Sequence, residues 1–125
     1  MVRGLSTSNP VGPTNDSTGT SSTTDPGSVT PTVANNLAVA FTFTETSFSS
    51  GPTNGFYQLA PATSGSIIGE MGYLIQSTTA AADTSWTFGS SSNWDALMVD
   101  FNGTASTSTG DFYFSGVMLN GLRIN

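Results

Sequence analysis

Neither cysteine nor histidine occurs in this 125-residue chain, and lysine is missing too, the two basic residues being Arg3 and Arg123. Without cysteine there is no disulfide framework and no thiolate metal site, and the redox compartment cannot be read from thiols. Without histidine the commonest catalytic base and transition-metal ligand is gone. A serine triad and a lysine-bearing phosphate loop are excluded on the same grounds. Only 8% of residues are charged, and the formal net charge is −6. Two scattered arginines cannot replace the counterions of a phosphate backbone, so neither nucleic acid nor an anionic membrane surface is expected as a partner. The longest apolar run, Leu37 to Phe41, is far too short to cross a bilayer, and Met1 to Ser6 holds no apolar signal stretch. The matches to the glycosylation pattern at Asn15 and Asn102 are read as chance.

What the chain has instead is serine, threonine, glycine and asparagine, with apolar residues in short alternating runs. The stretch from Thr84 to Phe101 carries both tryptophans. Trp86 and Phe88 alternate with small polar residues, and after Gly89 to Asp95 the residues Leu97, Val99 and Phe101 alternate again, which predicts two strands joined by a turn. Trp86, Phe88, Trp94, Leu97, Val99 and Phe101 are therefore the expected corner of the core. Leu37, Val39, Phe41 and Phe43 share one face of a strand and Ala38, Ala40 and Thr42 the other, a pattern suited to a central strand covered on both sides. Further strands are expected at 56–59, at 67–76 with a bulge at Gly69, and at 111–119, with a last hairpin at 120–124. Asn-Gly pairs at 54–55, 102–103 and 120–121 border apolar segments, and that dipeptide accepts the positive φ of hairpin turns. No stretch carries a sustained helical period. The expected fold is all-β: an antiparallel β-sandwich or jelly roll.

Residues 1–34 hold 14 Ser and Thr, four prolines and no aromatic. Such a segment buries too little apolar surface to offset the entropy of ordering it. The expected organisation is an extended arm over 1–24 and a β-sandwich domain over 25–125. Val2, Leu5, Pro10, Val11 and Pro13 are the arm's candidate contacts with a partner surface, in a groove or along a sheet edge.

Asp25-Pro26-Gly27-Ser28-Val29-Thr30-Pro31, then Asn36 to Phe41, then Trp86-Thr87-Phe88 and Ser90 to Phe101, together resemble a diverse group of β-sandwich domains found in virion proteins of tailed bacteriophages and in phage-like surface proteins. The resemblance covers residues 25–101 and departs from the pattern after Phe101, so residues 104–125 read as an added hairpin. It implies a virion accessory protein on the outer surface of the capsid, either a head decoration (cement) protein or a domain of a fibre. Implied partners are other virion proteins, the major capsid protein foremost, and further copies of the chain, with a trimer as the first expectation. The resemblance supplies no catalytic residues.

Chemistry is sparse in the residues themselves. Paired carboxylates can hydrolyse a glycoside, and Glu45, Glu70, Asp83, Asp95, Asp100 and Asp111 are the acids within the domain, but several border turns where carboxylates cap the chain. No enzyme activity and no cofactor are expected. Oxygen ligands for calcium are plentiful, yet no loop has the EF-hand spacing and no ligand set stands out, so no metal residues are assigned. The competing binding function is a sugar site, in which Tyr57, Tyr73, Asn93, Trp94 and Asp95 would supply aromatic stacking and hydrogen bonds. The alternative for Trp94 is a buried plug at the end of the sandwich.

Overall fold

The structure, a computed structural model, describes residues 4–104. Among them there is no helix. Seven strands form one antiparallel sheet, an all-β architecture consistent with a β-sandwich. The strands are β1 (Val11–Thr24), β2 (Asn36–Thr44), β3 (Phe48–Ser50), β4 (Tyr57–Gln58), β5 (Ala62–Ser64), β6 (Ile67–Gln76) and β7 (Trp86–Asn102). Their order across the sheet is β1-β7-β2-β6-β4, with β3 beside the start of β7 and β5 beside the start of β6. The strand at 111–119 and the hairpin at 120–124 lie outside the described residues.

The segment expected as an arm enters this sheet. From Val11 to Thr24 it runs antiparallel to β7, pairing Val11 with Phe101 and Thr24 with Trp86. The backbone explains why a sequence with almost no apolar side chains joins: the peptide groups of β1 that face β7 gain ladder partners whatever the side chain, and β-branched threonine fits a pleated surface. Leu5 extends the same edge through a bridge to Gly103, and Asn102 N–H donates to the Pro10 carbonyl at 3.0 Å.

The hairpin expected at 84–101 is instead the single long strand β7. The polar residues between its two apolar runs form a bulge, because Ser21 faces Ser92 while Thr23 already faces Thr87, so Phe88 to Ser91 stand opposite one residue of β1. Bulged, β7 serves two neighbourhoods: its start pairs with β3 and its main length with β2. Asn102-Gly103 is likewise no hairpin turn, since Asn102 is the last residue of β7 and Gly103 pairs with Leu5. Asn54-Gly55 does turn, with φ of 55° and 79°, and Phe56 N–H donates to the Thr53 carbonyl. Gly69 is not a bulge. It stands in regular register opposite Phe43, and a Cβ there would come within 2.9 Å of the Phe43 ring, which lies across it.

Burial divides the sheet by face, where the sequence predicts a strand covered on both sides. On β2 the small residues Ala38, Ala40 and Thr42 are buried, and on β7 so are Ala96, Met98 and Asp100. Loops cover this face. Val29 and Ala82 bridge to each other above it, Phe56 reaches it from the Asn54-Gly55 turn, and Trp86 closes it at the start of β7. Small strand residues let these loops approach closely. Gly72 shows the fit, since a Cβ on it would lie 2.9 Å from Pro52 and 3.5 Å from Phe56. Buried hydroxyls in this layer are paired, Thr42 donating to Thr24 at 3.1 Å and Thr84 to the Thr53 carbonyl at 3.2 Å.

The opposite face carries the large side chains. Across it Phe101, Leu37 and Ile75 align in one row, Val99, Val39 and Tyr73 in the next, and Leu97, Phe41 and Met71 in a third. Leu37 is buried, but most of these are only half-buried, Leu97 is 38% exposed and Phe43 is 47% exposed. Of the expected core corner, Trp86 and Phe88 are buried, with Phe88 edge-on to Phe48 at 5.3 Å, and Trp94 is half-buried. Leu97, Val99 and Phe101 belong to the open face. The side that alternation marked as interior is the one that the described residues leave without a second layer.

Candidate functional site

Two features stand apart from ordinary core and surface. One is the open apolar face. The other is a cleft of about 390 Å³ at the sheet's far end, lined by residues of β1, the end of β2, Ile67 of β6 and the middle of β7.

The β1·β7 pairing builds the cleft. It sets Gly19 opposite Trp94 and Thr20 opposite Asn93, residues more than seventy positions apart. The Thr20 hydroxyl donates to Asn93 Oδ1 at 2.6 Å, and the Trp94 indole N–H donates to the Ser21 hydroxyl at 2.9 Å. Gly19 is needed for this, because a Cβ there would stand 2.8 Å from the indole ring. One side of Trp94 is thus pressed on the β1 backbone and its polar edge is already satisfied. Phe43, Glu45 and Asp95 complete the wall, so the cleft offers aromatic surface, two carboxylates and several hydroxyls.

Of the residues expected to bind sugar, Asn93, Trp94 and Asp95 meet in the cleft, while Tyr57 does not. Tyr57 sits on β4 and stacks on Tyr73 of β6, with ring centroids 5.5 Å apart. Phe43, Glu45, Thr18 and Thr20 were not anticipated here. No local motif marks them, since they gather only through long-range strand pairing.

The expected arm contacts distribute along the β1 edge. Val11 is 49% exposed and borders the open face beside Phe101, Pro10 is exposed, and Leu5 and Pro13 are half-buried. Val2 lies outside the described residues.

The acids fall into different settings. Glu45, Asp83 and Asp95 are exposed, whereas Glu70 and Asp100 are buried under the loops. Burial raises the Glu70 carboxyl above its ordinary range, an effect partly offset by the Gln58 amide and the Trp86 indole. Both the indole nitrogen and Glu70 Oε2 nevertheless fall short of a formed hydrogen bond. Burial pushes Asp100 up to about 6. Asp111 lies outside the described residues. No group of three or more His, Cys, Asp or Glu side chains comes together among the described residues, and Glu45 and Asp95 are the two acids that share the cleft.

Comparison with models of known families, with curated proteins and with solved structures finds no match to this chain.

Proposed function

We propose that this chain is a non-enzymatic structural protein of a virion, a capsid decoration (cement) subunit that assembles with copies of itself through the open face of its sheet. The observation that carries the reading is that face. Phe43, Leu97 and Val11 project from a sheet whose other side is closed over Ala38, Ala40, Met98 and Asp100, and half-buried Phe41, Val99 and Phe101 join them into one apolar surface among the described residues. Contiguous exposed apolar residues on a soluble chain commonly mark a contact with another protein, and a second subunit is one that covers such a face. The outer edge of β1 supports the same reading, because it pairs with no strand among the described residues and offers backbone donors and acceptors to a neighbour. The acidic surface, poor in charge overall, suits the outside of a shell rather than contact with packed DNA. A jelly-roll connectivity and a trimer belong to this proposal.

Sedimentation of the purified protein tests the self-association. The wild type should sediment as an oligomer, and Phe43→Ser with Leu97→Ser should sediment as a folded monomer. A wild type that stays monomeric at high concentration contradicts the reading, and so does absence of the chain from purified particles of a phage that encodes it.

The cleft favours a second reading, a carbohydrate-binding domain of a fibre or other appendage, because Trp94, Asn93 and Asp95 converge there with Phe43 and Glu45. A glycan array decides it. Binding that Asp95→Asn weakens supports a sugar site; no retained glycan at any concentration removes it.

A further inference from the structure

At the end of the sheet remote from the cleft, the covered face holds an unusual collection of oxygens. Asn36 of β2 stands between Gln76 of β6 and Asn102 of β7, each directly opposite it, and Asp100 lies two residues before Asn102 on the same face. Asp100 and Asn36 are 0% exposed and Asn102 is 3% exposed. Asn36 Oδ1, Gln76 Oε1, Asn102 Oδ1 and both carboxylate oxygens of Asp100 are buried without a hydrogen-bond partner. Five orphaned acceptors in one neighbourhood would cost several kcal/mol if nothing met them.

The orientation of the two asparagines is fixed by their nitrogens. Asn36 Nδ2 donates to the carbonyls of Val33 at 3.0 Å and Thr78 at 2.8 Å, and Asn102 Nδ2 donates to the Asn9 carbonyl at 3.0 Å. Turning either amide over would set oxygen against oxygen, so the Oδ1 atoms must point the other way. Gly12 of β1 reports where two of the oxygens aim. A Cβ built on it would lie 2.5 Å from Asp100 Oδ2 and 3.0 Å from Asn102 Oδ1, which places both within reach of one small ligand.

The donors of this neighbourhood are turned to backbone carbonyls, and none meets these five oxygens. Residues 4–104 contain no lysine, arginine or histidine, so no cationic side chain among the described residues can neutralise Asp100. A water has only two hydrogens to give, whereas a hard cation takes oxygen from carboxylates, amide carbonyls and water together. We propose that Asp100 and Asn102, whose oxygens converge beside Gly12, with Asn36 next to them across the β2·β7 pairing, form a buried site for a hard metal cation of calcium or sodium type at the β1·β7 edge beneath the loop layer. With one carboxylate, its affinity belongs to the weak, millimolar class. Neither a cluster of acids nor a loop motif announces it, because a single acid is joined by amides that strand register brings alongside.

Melting of the full chain after exhaustive chelation, with calcium, magnesium or sodium chloride then added at matched ionic strength, tests the site. Calcium in tenfold excess over its dissociation constant should raise the melting temperature by roughly 5 °C or more. A response to sodium alone identifies the monovalent ion. Magnesium should do less than calcium, since it demands a tighter octahedral shell. Asp100→Asn, nearly isosteric and free of buried charge, should fold and lose the shift, while Glu70→Gln, a buried acid elsewhere on the same face, should keep it. Calorimetric titration with calcium chloride reads binding apart from stability. Melting of the wild type that is the same in chelator and in each salt, with no heat of binding, overturns the site; so does an unchanged shift in Asp100→Asn.

Discussion

Leu97 and Met98 are neighbours on β7 that point to opposite faces, and truncating each in turn measures what lies over either side. Met98 is 0% exposed and touches the cluster of Val29, Ala40, Phe56, Ala82 and Trp86. Met98→Ala leaves a cavity under loops that are held by their own hydrogen bonds and cannot fully collapse, so the cost should be about 3 kcal/mol, within the range for such changes. Leu97 is already 38% in water and its removal opens a surface notch rather than a void. Leu97→Ala should cost only about 1 kcal/mol in the dissociated chain, the transfer share of the part that is buried. Urea unfolding at low protein concentration, with unchanged m-values, reads both numbers. At concentrations where subunits associate, the Leu97→Ala deficit should grow while the Met98→Ala deficit holds. If Leu97→Ala costs as much as Met98→Ala at every concentration, the large-residue face is sealed within one chain, and the reasoning from an open face is refuted.

Gly72→Ala should destabilise by about 1 to 3 kcal/mol, because the added methyl meets Pro52 at 2.9 Å and the loop carrying Phe56 must lift; thermal melting checks it. Glu70 gives a pH dependence of definite sign. Its carboxyl is raised in the folded chain, so the folded state holds a proton that the unfolded chain has released, and the stability associated with it is full below the ordinary carboxylate range and lost as pH rises through the folded value. Glu70→Gln should flatten the fall in stability between acid and neutral pH; a slope identical to the wild type would show that the carboxyl is not desolvated.

The all-β class could be read because alternation over 37–43 and 97–101 survives in the strands, and the turn at Asn54-Gly55 follows from residues that accept positive φ. Which face is covered could not. Apolar side chains usually point inward, but here the alanines and threonines of β2 and β7 allow loops to close over the small side, and their close approach depends on residues far away in sequence such as Val29, Phe56 and Ala82. Composition also misdirects at 11–24. Its serines and threonines read as an arm, yet a long strand with a free edge recruits them through backbone pairing alone. The break at Gly89 to Ser91 looks like a turn because a bulge and a turn use the same residues. Trp94, Asn93 and Asp95 were legible as a polar-aromatic corner, but their companions Thr18, Thr20 and Phe43 depend on register. The oxygen cluster around Asp100 was hidden for the same reason, as amides at 36, 76 and 102 mean nothing until three strands align them.

The claim that the exposed apolar face is a contact between subunits is tested most directly by sedimentation velocity of the intact wild-type protein across a wide concentration range, with Phe43→Ser/Leu97→Ser run beside it. The account predicts a discrete oligomer, a trimer as first expectation, that the double variant dissolves into monomers with unchanged β-sheet circular dichroism. A wild type that sediments as a monomer throughout, with a double variant indistinguishable from it, contradicts the account.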